Sequence, residues 1–127
     1  MNEVIHSSEA PEPIGPYSQA IRSGNMLFVS GQIAINPATN ELETDDLEIE
    51  THRVMTNMKA VLEAAGAGFE HIVKCSIFLS DMNNFAVVNK IYAEYVSAKT
   101  PPARETVQVS VLPKNVNVEI SAIAVID

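Results

Sequence analysis

The chain has 127 residues, 46% of them apolar, and sixteen acidic against eight basic side chains leave it a net charge of −8. That length suits a single domain over 1–127 with one core, able to bury roughly two thirds of its unfolded surface. The acidic balance, without a Lys/Arg run, argues against a nucleic-acid or anionic-membrane surface. The start carries no basic and apolar leader and no apolar run nears a membrane span, so the expected location is the cytoplasm.

Residues 19–23 and 26–35 read as two strands around the turn pair Gly24-Asn25, with a second turn over 36–40 and room for a further strand at the N-terminus. From Leu47 the period changes. Leu47, Thr51, Val54, Met55, Met58, Val61, Leu62 and Ala65 share one face of a long amphipathic helix. Thr44, Asp45 and Asp46 offer capping groups before it, and Gly66 and Gly68 stop it. Residues 72–79 return to strand alternation, and Ser80-Asp81 precede a second helix with Phe85, Val88, Ile91, Tyr92 and Tyr95 on one face.

Residues 106–112 and 115–125 then predict two closing strands, joined as a hairpin around Leu112-Pro113-Lys114-Asn115. The order ββαβαββ predicts an α+β fold, one sheet with two helices on one face. The last strand is apolar on one register (Val116, Val118, Ile120, Ala122, Ala124, Ile126) and partly on the other (Ile123, Val125). Two helices cover only one face, so the other is expected to be buried against further copies in a closed homo-oligomer.

The single cysteine, Cys75, alternates with Val73, Ile77 and Leu79 and reads as a core thiol. The three histidines lie apart without ligand spacing, so no metal site is expected. No nucleophile signature and no phosphate-cradling glycine motif is present, and neither covalent catalysis nor a nucleotide cofactor is implied.

One pairing stands out. Arg104, one of three arginines, enters a strand-like run from the stiff corner Pro101-Pro102, and Glu119 follows fifteen residues later. A guanidinium offers a two-pronged donor face to a small carboxylate, and an adjacent acid handles protons or water beside it. In an acidic chain an anionic ligand has to be captured locally, which favours such a placed cation. The competing reading is a half-exposed salt bridge between adjacent strands. Glu119 lies on the polar register with Asn117 and Ser121; it is either an ordinary outward glutamate or buried near a cleft, where burial would favour its neutral form while Arg104 favours its charged form. Tyr17, after the Gly15-Pro16 bend, and Ser30-Gly31, ending an apolar run, line a pocket or serve as turn and core elements. Asn89 either meets a ligand or caps a polar core.

Taken in order, Gly15-Pro16-Tyr17-Ser18-Gln19-Ala20, Val29-Ser30-Gly31-Gln32, Pro102-Ala103-Arg104, Leu112-Pro113-Lys114 and Val118-Glu119-Ile120 resemble the reactive intermediate deaminase family, RidA (YjgF-type), nearly end to end. The resemblance implies a chorismate-mutase-like fold and a homotrimer with sites between subunits. It implies cofactor-free hydrolysis of enamines and imines such as 2-aminoacrylate to 2-oxo acids and ammonia, a metabolite damage-control activity. By matching motif, Arg104 would hold the substrate carboxylate and Glu119 would orient water or move a proton. Tyr17, Ser30, Gly31 and Asn89 would line the cleft, and Thr106 would contribute its backbone. Two positions depart from the family's best-known branch: Thr106 stands where it has cysteine, and Glu105 where a small residue is common. In a regular strand Glu105 points away from Arg104. The alternatives are a non-catalytic binder of small oxo acids or amino acids on the same fold, and a ribonuclease or translation inhibitor, which the net charge disfavours.

Overall fold

In the computed structural model, which describes residues 1–127, the amino-terminal part supplies three antiparallel strands, β1 (Asn2–Ile5), β2 (Ala20–Ser23) and β3 (Met26–Gln32). β1 is the further strand for which the N-terminus had room. Gly24, in the expected turn, takes φ +62°, a left-handed conformation that a Cβ would penalise. The apolar run 26–35 is not one strand. β3 ends at Gln32, and β4 (Ile35–Asn36) pairs with β5 (Glu41–Leu42) as a separate ribbon. The register against the last strand shifts between Val29 and Gln32, so Ser30-Gly31 form an irregularity that alternation alone does not announce.

α1 (Leu47–Ala64) is the predicted long helix; the Asp46 carboxylate caps it by accepting from the N–H groups of Glu48 and Ile49. Gly66, at φ +75°, ends the segment. β6 (Ile72–Leu79) follows, then a short 3₁₀ turn and α2 (Phe85–Ala93), then β7 (Ala103–Gln108) and β8 (Val118–Val125). The main sheet has six strands in the order β1-β2-β3-β8-β6-β7.

The expected hairpin between the last two strands does not form. β7 lies parallel to β6 at the sheet edge, whereas β8 inserts between β3 and β6, antiparallel to both. β6-α2-β7 is a strand–helix–strand unit whose crossover is long enough for parallel pairing. β8, apolar on one register and partly so on the other, gains most from a central place, and β7, with Glu105 and Gln108 exposed, tolerates the edge.

One sheet face, carrying Leu27, Val29, Cys75, Ile77, Leu79, Val118, Ile120 and Ala122, packs on Val54, Met55, Met58 and Val61 of α1 and Val88 and Tyr92 of α2. Cys75 is buried there, as expected of a core thiol. The other face presents Met26, Phe28 and Val107 as exposed apolar side chains, with Ile123 and Val125 half-buried beside them. No helix is long and apolar enough to cross a membrane.

Candidate functional site

Register decides where the two charged candidates go. On β7 and β6, Arg104 pairs with Cys75 and therefore faces the helices, as does Thr106 beside Ile77. On β8, Glu119 pairs with Phe78 of β6 and faces the open side. β6 lies between β7 and β8. Arg104 and Glu119 of one chain thus sit on opposite faces of non-adjacent strands, which corrects both the salt-bridge reading and the expected influence of Arg104 on Glu119. The strand order, which alternation does not encode, is the reason.

The arginine half is built by α2. Asn89 Oδ1 accepts from Arg104 Nη1 at 2.7 Å, and the guanidinium carbon lies 5.1 Å from the ring centre of Tyr92 and 5.6 Å from that of Phe85. Arg104 forms no ion pair; the pairs in the chain are His6–Glu12, Arg53–Glu43, His71–Glu70 and Lys74–Glu105. Its donors are left for something else. The Thr106 hydroxyl is buried without a hydrogen-bond partner. Glu105 points to the open face, as a regular strand requires, where Lys74 Nζ at 2.8 Å and the Ser76 hydroxyl hold its carboxyl below the usual carboxylate range. Burial pushes the neighbouring Cys75 thiol up, which keeps it protonated and inert.

The carboxyl half is a cavity of about 380 Å³ whose walls include Tyr17, Ser30, Gly31 and Glu119, four residues the sequence singles out. Of its other walls, Pro11 and Glu12 carry no such signal, and Gln19, Gln32 and Pro113 stand in the quoted motifs without a role of their own. The shift in register brings Gly31 against Glu119: a Cβ on Gly31 would lie 2.7 Å from Glu119 Oε2 and 2.8 Å from its Cδ. Burial raises the pKa of Glu119, with no cation opposing it. The Ser30 hydroxyl donates to Ser18 O at 2.6 Å, and the Ser30 N–H to Gln19 O at 2.9 Å, tying the bulge to the loop after Tyr17. The buried Gln19 side chain accepts from the Ser7 N–H and donates to the carbonyls of Ser7, Ala10 and Pro11. It shapes the cavity's outer wall from a position where a polar residue in a strand pattern reads as surface.

The architecture is an α+β fold shared closely with solved proteins. The structure of Escherichia coli TdcF with bound serine superposes with a TM-score of 0.91 at 38% identity, covering 98% of this chain and 99% of that one. The family model described as endoribonuclease L-PSP matches residues 7–126. A RutC family protein of Pyrococcus horikoshii is 52% identical, covering 98% of both chains. The 2-iminobutanoate/2-iminopropanoate deaminase of Dermatophagoides farinae is 46% identical, covering 98% of this chain and 96% of its own length. The chain belongs to the RidA/YjgF/RutC family.

Proposed function

We propose that this protein is an enamine/imine deaminase, converting 2-aminoacrylate and related intermediates to 2-oxo acids and ammonia at sites shared between copies in a homotrimer. The observation that carries this reading is the complementary incompleteness of the two halves: Arg104 has an amide and two rings around it but no carboxylate, and Glu119 has a cavity but no cation. A trimer contact that sets the edge strand β7 of one copy against the open face of the next would join them. The exposed Phe28, Met26 and Val107 on that face favour such burial.

The chemistry follows from the groups. Arg104 takes the substrate carboxylate on its planar fork, with Asn89 orienting the guanidinium and the edge-strand backbone at Thr106 adding donors. Glu119, kept protonated to higher pH by burial, gives its proton to the methylene carbon of the enamine, which becomes the imine. The resulting carboxylate accepts a proton from water as the water oxygen bonds to the C=N carbon. Glu119 then returns that proton to the amino nitrogen, the C–N bond breaks as the hydroxyl oxygen forms the C=O bond, and ammonia leaves while the hydroxyl proton passes back to Glu119, leaving the 2-oxo acid and the starting protonation state. Tyr17, Ser30 and Gly31 enclose the reacting carbon. Positioning together with a proton transfer worth about 10²–10⁴-fold is sufficient for imines that already react with water. No cofactor enters any step.

The name of the Dermatophagoides relative supports this reading, and the serine in the E. coli relative favours a second one, a binder of small amino or oxo acids. Turnover separates them. Imino acids generated by an amino-acid oxidase and trapped with semicarbazide should yield less trapped product with wild type, and the trap should recover fully with Arg104→Ala. Equal trapping with both proteins for several imino acids and 2-aminoacrylate would leave the binder as the function. A ribonuclease role is disfavoured by the net charge of −8.

A further inference from the structure

Phe85, Asn89 and Tyr92 are spaced four and three residues apart on α2, so they form one stripe along the helix, and that stripe lies over the edge strand carrying Arg104. In the proposed chemistry Arg104 binds the substrate carboxylate and Asn89 orients the guanidinium, whereas the two rings take no part. Yet the guanidinium carbon lies within 5.6 Å of both ring centres, inside the range where a ring quadrupole attracts a cation. The rings differ in setting: Tyr92 is 4% exposed and forms a floor continuous with the core, and Phe85, at 37%, forms an outer wall. Arg104 makes no hydrogen bond to the Tyr92 hydroxyl, which lies beside the Cys75 thiol, so its contact is made by the ring and not by the polar tip.

Resting on the proposed role of Arg104, we infer that Phe85 and Tyr92 are positioning residues: an aromatic cage that, with the Asn89 amide, orients the Arg104 guanidinium toward a substrate carboxylate and thereby sets substrate affinity. An arginine on an exposed edge strand has a long side chain with many rotamers, and ordering it on binding weakens affinity. The cage imposes that order beforehand. It also holds the cation without a carboxylate partner, which leaves its free N–H donors for the ligand. A salt bridge would orient the group equally well but would occupy the donors.

The test uses the full-length protein with 2-aminoacrylate and an imino acid as substrates and pyruvate as a competing carboxylate. Phe85→Leu and Tyr92→Leu should each raise KM and the inhibition constant of pyruvate by roughly tenfold, with kcat within about twofold of wild type. Tyr92→Phe, which keeps the ring, should restore wild-type KM. In an Arg104→Ala background, where turnover is lost, pyruvate binding followed by calorimetry should weaken no further when the leucine substitutions are added. Because Phe85 is partly exposed, its variant keeps the test decisive even where Tyr92→Leu folds poorly. Unchanged KM and inhibition constant in Phe85→Leu, alongside a loss of activity in Arg104→Ala, would overturn the cage alone. Full activity in Arg104→Ala would overturn the role of Arg104 itself, and the cage with it.

Discussion

Gly31 owes its identity to a residue 88 positions later in the chain, the Glu119 carboxyl group that occupies the space a Cβ would take. No left-handed φ is involved at Gly31, so the constraint comes from the close approach and not from the backbone. Gly31→Ala should therefore fold normally and push the carboxyl aside, lowering kcat by about a hundredfold, the usual scale for a reacting group misplaced by about 1 Å. Circular dichroism beside the trap assay checks both halves of that expectation. Glu119 also predicts a pH signature. Its folded-state pKa is raised by burial, so as pH rises the unfolded chain ionises first and stability falls. The penalty is absent below the ordinary carboxylate range and complete above the folded value. Glu119→Gln should thus melt above wild type at neutral pH, the gap closing near about pH 4, while losing at least about a hundredfold in rate. A gap that widened toward acid would contradict the burial assignment. Both residues were legible as candidates, a Ser-Gly interruption and an acid in an apolar strand. Their contact was not, because it depends on which strand lies beside which.

At the scale of elements, the helices were the most legible parts. The 3.6-residue period over 47–65 and the Asp46 cap reproduce α1 almost to its limits. What that period hides is the polar content of the buried face. Glu50 is 0% exposed, and its carboxylate accepts from the Asn117 N–H at 2.8 Å and from the Asn117 amide at 2.7 Å. Asn57, also buried, donates to the carbonyls of Ile33 and Ile35. These side chains satisfy backbone and amide groups that arrive from distant parts of the chain, so no local spacing marks them. Asn117 immediately precedes β8, and its carbonyl accepts from the Ser80 N–H at 3.1 Å, so Glu50 helps fix where the strand bearing Glu119 begins. Glu50→Ala leaves two donors without their partner and should cost about 2–4 kcal/mol in a denaturant titration. A change within about 0.5 kcal/mol would mean that Asn117 is held by other contacts. The misplaced hairpin belongs to this scale too. Residues 112–115 look like a hairpin turn, but the parallel partner offered by β6 through the α2 crossover prevails over the near neighbour in sequence.

For the whole molecule, the opposite placement of Arg104 and Glu119 makes the proposed trimer a requirement of the proposed chemistry. If each site takes its arginine from one copy and its acid from the next, Arg104→Ala and Glu119→Gln homotrimers should both be inactive. Trimers re-formed from a mixture of the two should recover up to about a quarter of wild-type activity at equal mixing, from those interfaces that pair intact Arg104 with intact Glu119. A mixture verified to exchange subunits but remaining inactive would place both residues in one subunit's site. The same logic makes Phe28→Asp informative: a charge on the open sheet face should give monomers by sedimentation, retain the helical spectrum and abolish turnover.

Sequence alone determined the element types, the limits of α1, the core thiol and the residues worth suspecting, because period, capping and scarce charges act over a few neighbouring positions; α2 ends at Ala93, short of the expected Tyr95. It also showed that β8, apolar on one register and partly on the other, is ill suited to a sheet covered on one side only. Tertiary structure decided the strand order, the face to which each charged residue turns, the aromatic surroundings of Arg104 and the close fit of Gly31 to Glu119. Those depend on contacts between segments far apart in the chain, and alternation along a strand specifies two faces without saying what lies across either.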